Sequence, residues 1–318
     1  MAVIGCGGMG RIHARAITDI EDVELVGVCD EHFETAQAVA DQSGTEAFAT
    51  FAEMMDRTNP DIVNICLPTH LHKKYTIEAA MRGKHVICEK PIANSLEDAK
   101  EMMEVCKQNG VRLFIGHAQR FIPYYKQMQE KIAAGAIGKV GVAHMRHLGA
   151  YPGLRKEWYA DPQKSGGVII DLMIHDIETL QSIMGEVESV YAVNKKTDKM
   201  DYALVTLRFK SGAIANMESF WGYSGHFTYG YEFAGSKGII KFDSHDSATV
   251  FVRTPSSKGE PQLYLHDGFQ YLEIKHFIAC IQFNTEPIVT SEDGYRALET
   301  ALAAYQSVET GEPVLITR

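Results

Sequence analysis

Apolar positions in the first third of the chain fall into short, nearly continuous runs separated by stretches of helical period. Met1–Ile4 is apolar and stops at a glycine cluster, and Gly10–Asp19 has helical character. Val23–Cys29 is a second apolar run, closed by Asp30. Phe33, Ala36, Val39 and Ala40 recur at helical spacing, so Glu34–Ser43 is predicted as a helix. Asp61–Leu67, His85–Cys88 and Val111–Gly116 read as strands. Lys74–Arg82 and Leu96–Gln108 read as the helices between them, stopped by Gly83 and near Gly110. This alternation predicts βαβ units in a parallel sheet covered on both faces. The first strand is short against the usual length of about 5–6 residues, which predicts that several residues once preceded it.

The pattern changes after about His117. Pro123–Ala134 reads as a helix, Val140–Leu148 as a strand and Val168–Met184 as a long helix ended by Gly185. Strand signals then cluster: Val187–Val193, Ala203–Phe209, Ala213–Trp221, Tyr231–Ala234, Ile239–Phe242 and Ala248–Arg253. Turn signals such as Lys210-Ser211-Gly212 separate them, so an antiparallel or mixed sheet is expected. Ser291–Thr310 closes the chain as a helix, ended by Gly311 and Pro313. An α/β domain with a parallel sheet is therefore expected over 1–117, and a second domain with an antiparallel or mixed sheet over 118–318.

Composition narrows the function classes. The chain has 318 residues, 45% hydrophobic and 23% charged, with a net charge of −10. About two soluble domains fit that length. An acidic chain with no Lys/Arg-rich run has no general attraction for nucleic acid or an anionic membrane. No apolar run approaches the roughly 18 residues of a membrane span, and no signal peptide is visible. Six cysteines occur without a C-x-x-C pair, and three lie in predicted strands. They read as small buried hydrophobes in a reducing, cytoplasmic compartment.

Gly5-Cys6-Gly7-Gly8-Met9-Gly10 is a G-x-G-x-x-G between a strand and a helix, and Asp30 follows twenty residues after Gly10. Gly5 permits the tight turn, Gly7 lets backbone approach a pyrophosphate, and Gly10 permits close helix–strand packing. The helix N-terminus supplies amide donors and partial positive charge. Asp30 is expected to accept hydrogen bonds from ribose hydroxyls and to repel a 2′-phosphate. No Lys or Arg occurs between Ala16 and Asp56, so NAD is predicted in preference to NADP. Ligands of open α/β sheets sit at the carboxyl ends of strands. That places Leu67, Pro68, Thr69, His72, Glu89 and Lys90 near the nicotinamide. His70 and His72 form an H-x-H pair, but no third ligand stands at a suitable spacing, and no metal is expected.

Two further signals carry chemistry. Lys90 ends a strand and precedes Pro91, which biases it to an extended backbone. Position alone leaves it as either a site lysine or a surface lysine. Asp171 and His175 stand at i, i+4 in an apolar helix, which stacks them on one face. A histidine there titrates near neutrality, as a proton acceptor requires. Asp176 points to another face and is left out of the site.

The Gly5–Gly10 fingerprint, Leu67–His72, Gly83-Lys84-His85-Val86-Ile87-Cys88-Glu89-Lys90-Pro91, and Gly166-Gly167 leading into Asp171-x-x-x-His175 occur in that order. Together they resemble the Gfo/Idh/MocA oxidoreductases over nearly the whole chain. The resemblance implies an α/β Rossmann domain with a parallel sheet over 1–117 and a C-terminal α/β domain with an open, mostly antiparallel sheet over 118–318, for substrate binding and oligomerisation. It also implies NAD(P)-dependent redox chemistry on sugars, polyols or related alcohols. It implies Lys90, Asp171 and His175 as the catalytic residues: His175 takes the hydroxyl proton, Asp171 orients His175, and Lys90 donates to the reacting oxygen. It also puts Arg120 where relatives carry a site-lining arginine, toward substrate or cofactor, although a structural cation fits that position equally. Of the aromatics Tyr151, Trp158, Tyr159, Trp221 and Tyr223, one or two are expected to offer a ring face to substrate, Trp158 among them. The leading reading is an NAD-dependent dehydrogenase of a cyclic polyol or sugar. A hydrolase or epimerase-like enzyme with tightly held NAD and a non-catalytic nicotinamide-binding sensor are the alternatives. The second domain's sheet needs a cover, which predicts a homodimer or homotetramer.

Overall fold

A computed structural model describes residues 1–154, 156–244 and 268–317. The first half runs β1 (Ala2–Ile4), α1 (Gly8–Thr18), β2 (Gly27–Cys29), α2 (Phe33–Ser43), β3 (Ala47–Phe48), α3 (Phe51–Thr58), β4 (Ile62–Ile65), α4 (His72–Met81), β5 (His85–Glu89), α5 (Leu96–Gln108) and β6 (Leu113–Gly116). Its six strands are all parallel, in the order β3-β2-β1-β4-β5-β6. Strand order reverses between β1 and β4, the point at whose carboxyl ends open α/β sheets hold their ligands. Local chemistry sets the helix bounds. Ser95 Oγ accepts from Asp98 N at 3.1 Å to start α5, and Gly83, at φ +72°, follows α4.

The second half runs α6 (Pro123–Ala133), β7 (Val140–Gly149), α7 (Pro162–Ser165), a π-helical turn (Ile169–Met173), α8 (Ile174–Met184), β8 (Val187–Lys196), β9 (Asp201–Phe209), β10 (Ile214–Trp221), β11 (Thr228–Gly235), β12 (Gly238–Asp243), α9 (Phe269–Gln282), α10 (Ser291–Thr310) and β13 (Val314–Leu315). Among the described residues its seven strands are ordered β12-β11-β7-β10-β9-β8-β13, and only the β7–β10 pair is parallel. The strand run predicts an antiparallel or mixed sheet and the resemblance a mostly antiparallel one; the sheet is mixed and mostly antiparallel, as both expect. The expected strand at Ala248–Arg253 lies outside the described residues. No helix of the described residues is long and apolar enough to cross a membrane.

Strand alternation splits the burial. Ala2 and Ile4 face a core that continues through Met102, Ile170 and Ile177 into the second sheet. Met1 and Val3 face the other way, toward α1 and α2. That second core is completed from far along the chain. Phe277 and Ile274 of α9 are fully buried in it, and Phe277 stacks on Phe114 at 4.7 Å. Burying one such ring contributes about 1.5–3 kcal/mol. Helix α9 was not foreseen in the sequence, although Ile274, Phe277, Ile278 and Ile281 stand at helical spacing.

The long helix expected over Val168–Met184 is corrected at its start. Gly166 and Gly167 have φ of +73° and +69°, and a side chain at Gly167 would overlap the Tyr305 hydroxyl. The amide of Val168 then donates to Asp201 Oδ2 at 3.1 Å, and Asn194 holds the other Asp201 oxygen at 2.8 Å. Five residues in π geometry follow this anchored entry before α8 begins. Such turns are rare and concentrate at functional sites. Asp176 is fully buried and pairs with His147 Nδ1 at 2.8 Å, pinning α8 to β7 and away from the cleft.

Candidate active site

Chain geometry shapes the cofactor cleft first. Gly5 has φ +89°, and a Cβ on Gly10 would overlap the Gly5 carbonyl oxygen, so α1 packs where only glycine fits. Helix α1 starts at Gly8, with no side-chain cap and no acid in its first turn. Its first amides are therefore free for an anion. Gly7 and Gly8 are exposed, and among the described residues beyond the loop's own backbone a Cβ on either would meet nothing nearer than Lys156 Nζ, at 3.9 and 3.8 Å. A cradle of that kind fits a pyrophosphate. Asp30 Oδ2 accepts from Cys6 N at 2.8 Å and Oδ1 from His32 N at 3.0 Å. Each oxygen keeps a lone pair for a ribose hydroxyl. Met9 is half-buried beside the loop, and Leu67 packs against Gly5. Pro68 leads into a short turn that buries Thr69.

Two residues expected at the nicotinamide are instead scaffold. His72 is 1% exposed, and its ring nitrogens stand 2.8 Å from the Pro91 and Leu67 carbonyls, stapling two strand-end loops together. Glu89 is buried under the cleft, where its carboxylate meets His13 Nε2 at 2.8 Å. His13 Nδ1 meets Asn64 Oδ1 at 3.1 Å, so an imidazolium there donates to Asn64 and sets its positive charge against Glu89. Burial opposes that charge, but Cys66 and Glu89 outweigh it and hold His13 well above the ordinary histidine value. Burial would raise Glu89, yet His13 and Lys90 keep it below the usual carboxylate range. Glu273 of α9 is fully buried beside this pair, with no partner on either oxygen among the described residues. Burial first and Glu89 second push its carboxyl well up, so it is held as the neutral acid.

Lys90 and Asp171 do meet. Lys90 Nζ donates to the Asp171 carbonyl at 2.7 Å and stands 3.3 Å from Oδ1. Asp171 thus orients Lys90, not His175, and His175 Nδ1 has no hydrogen-bond partner among the described residues. Burial, then Lys90, His117 and His147, lower His175 well below the ordinary histidine value. It is a neutral imidazole at pH 7, ready to accept a proton. His117, at the end of β6, was missed in the sequence. Its ring centroid lies 6.3 Å from that of His175, and neither of its nitrogens has a partner among the described residues. Burial and Lys90 press its pKa to about 3. Tyr159 stands near Asp171, its hydroxyl raised by burial and then by that carboxylate.

Arg120 is tied down inside the second half of the chain. It donates to Glu178 Oε1 at 2.7 Å and to the Ile288 carbonyl at 3.3 Å. A buried carboxylate and a loop carbonyl leave it the role of an internal strut. Trp158 stacks on Tyr159 at 3.8 Å, and Tyr159 meets Trp221 edge-on at 5.6 Å. Trp158 is thereby half-buried in an aromatic cluster beside the catalytic cleft.

Residues 1–117 match the model of an oxidoreductase family with an NAD-binding Rossmann fold, and residues 129–316 match that family's C-terminal alpha/beta domain. The chain belongs to the Gfo/Idh/MocA oxidoreductase family. It is 34% identical to the myo-inositol 2-dehydrogenase of Thermotoga maritima, over 97% of this chain and 96% of that protein. It is 32% identical to the scyllo-inositol 2-dehydrogenase (NAD(+)) of Bacillus subtilis, over 98% and 95%. Among solved structures, a myo-inositol dehydrogenase from Corynebacterium glutamicum superposes with a TM-score of 0.86 at 27% identity, covering 100% of this chain and 98% of that one. The chain is an oxidoreductase of this family, and its first half is the NAD-binding unit.

Proposed function

We propose that this oxidoreductase uses NAD to oxidise a secondary hydroxyl of a cyclic polyol of the inositol class, or of a closely related sugar. The observation that carries this reading is the meeting of Lys90 with the Asp171–His175 segment at the mouth of the NAD-binding cleft. Bound NAD supplies the hydride acceptor. His175, neutral in its buried setting, accepts the proton of the reacting hydroxyl at Nε2 or Nδ1. Lys90 donates to the substrate oxygen and stabilises negative charge that develops on it. Asp171 holds the Lys90 ammonium in place. A positioned acid–base group contributes about 10²–10⁴-fold in rate. A sensor has no use for a neutral, unpartnered imidazole beside a tethered ammonium, which favours the enzyme reading.

Asp30, with its two oxygens anchored beside the glycine loop, supports NAD over NADP. Val142, Tyr191, Val193, Leu204 and Ile214 stand exposed on the outer face of the second sheet, which supports a homodimer or homotetramer that covers it. Six free cysteines support a reducing, cytoplasmic setting. The test of the activity is direct. Purified protein is mixed with NAD or NADP and a panel of inositols and sugars, and absorbance at the NADH band is followed. NADH formation from an inositol is expected. Turnover without net NADH, with cofactor co-purifying, would replace this reading by the epimerase-like one.

A further inference from the structure

Lys156 lies in the segment between β7 and α7, in the second half of the chain, yet its ammonium stands over the glycine loop of the first. Its Nζ is 3.8 and 3.9 Å from the positions that side chains on Gly8 and Gly7 would take. Among the described residues, and apart from the loop's own neighbouring backbone, no other atom comes within 4 Å of those positions. Local turns shape the backbone on either side of Lys156. Lys156 N donates to the Pro152 carbonyl at 3.1 Å, and Tyr159 N donates to the Lys156 carbonyl at 3.1 Å. Tyr159 in turn is packed between Trp158 and Trp221. Among the described residues Lys156 has no ion pair that would draw it elsewhere. Two positive ends, the ammonium and the free amides at the start of α1, therefore face one small volume. Ammonium and amides together match a doubly charged anion better than either alone.

We propose that Lys156 is a coenzyme-binding residue that reaches across from the second domain and clamps the NAD pyrophosphate against the glycine loop. This rests on the reading of the cleft as the NAD site. It deepens that reading, because the coenzyme is then held by both domains and its release requires the clamp to let go. Asp30, on the far side of the loop, remains the group that reads the ribose, so Lys156 strengthens binding without choosing between the two coenzymes.

The test measures binding, not turnover. NADH affinity of the full chain is determined by fluorescence or calorimetry for the unaltered protein, Lys156→Gln and Lys156→Arg, at about 50 and 300 mM salt. Adenosine, which carries no phosphate, is the control. Loss of one charge-assisted contact predicts about tenfold weaker NADH binding for Lys156→Gln at low salt. Lys156→Arg should stay within about threefold, adenosine affinity should not move, and the salt dependence should flatten in the Gln variant. Equal NADH affinity and equal salt dependence in Lys156→Gln overturn the clamp alone, as does an equal loss of adenosine binding. Failure of the unaltered protein to bind NADH removes the coenzyme reading itself, and the clamp with it.

Discussion

Lys90 Nζ donates to the Asp171 main-chain oxygen at 2.7 Å while facing that residue's carboxylate at 3.3 Å. One partner ends a strand of the nucleotide-binding half and the other sits in the π turn of the second half. The carboxylate therefore acts through the ammonium. Lys90→Ala should lower kcat about 10²–10⁴-fold with NADH affinity changed less than threefold. Asp171→Asn should cost less. The double variant should lose no more than Lys90→Ala alone, because both substitutions remove one coupled unit. Additive losses in steady-state kinetics would show that Asp171 has a separate task.

His175 sets the acid limb of activity. Burial, Lys90 and the neighbouring imidazoles depress its pKa below 6.5, so the free enzyme stays in the proton-accepting form through neutral pH. A plot of kcat/KM for polyol oxidation should stay flat from pH 8 down to 6.5 and fall only below that. His175→Gln should lower kcat about 10²–10⁴-fold across the range. A limb at or above 6.5 contradicts the assignment. His117 shares the sign, with a folded pKa of about 3. Stability from these neutral rings is full above 6.5 and is lost as pH falls, which an acid titration followed by circular dichroism will register.

Coenzyme choice is expected to rest on Asp30. Asp30→Ala removes the acceptor for ribose hydroxyls and the repulsion of a 2′-phosphate. NADH should bind about tenfold more weakly and NADPH no more weakly than before, read by fluorescence titration. The Cys6 amide also loses its partner, so a small fall in Tm accompanies the change.

Glu273 gives the opposite pH sign. Its folded pKa lies above the unfolded value, so the native state holds a proton that the unfolded chain releases. Stability from this site is full at pH below about 4.5 and declines as pH rises toward the folded pKa. Glu273→Gln keeps the shape of the neutral acid and cannot ionise. It should raise Tm by about 2–4 °C at pH 8 and by less at pH 5, measured by calorimetry. A lower Tm at pH 8 would mean that the carboxylate is charged and paired in the fold.

The outer face of the second sheet is expected to be an interface between copies. Light scattering should report a dimer or tetramer. Leu204→Glu together with Ile214→Lys, at two exposed apolar positions, should shift the mass toward the monomer without loss of helical signal.

Much of this architecture was legible because it is written in local periods. The Gly5–Gly10 turn, the strands that follow it and the meander after Gly185 each declare themselves within a few residues. Strand end and helical spacing only raised Lys90, Asp171 and His175 as candidates, and the resemblance to the family singled them out. What stayed hidden depends on which atom a side chain finds at a distance. His72 reads as a cleft residue until its two carbonyl partners are seen, and Glu89 as a cofactor contact until His13 is placed beneath it. The i, i+4 spacing of Asp171 and His175 suggests a bond between them, but the carboxylate turns to Lys90. Lys156 carries no signal in its own neighbourhood, since its partners are glycines some 150 positions earlier.

Helix α9 has a further consequence for how the protein is made. Its Ile274 and Phe277 complete one wall of the core that begins at Met1 and Val3. A ribosome must therefore synthesise most of the polypeptide before the first half can close. Until then an open greasy seam runs beside Phe114. A fusion that borrows the leading 117 residues as a ready-made nucleotide binder would inherit that seam, so the two halves are best regarded as one interlocked folding unit.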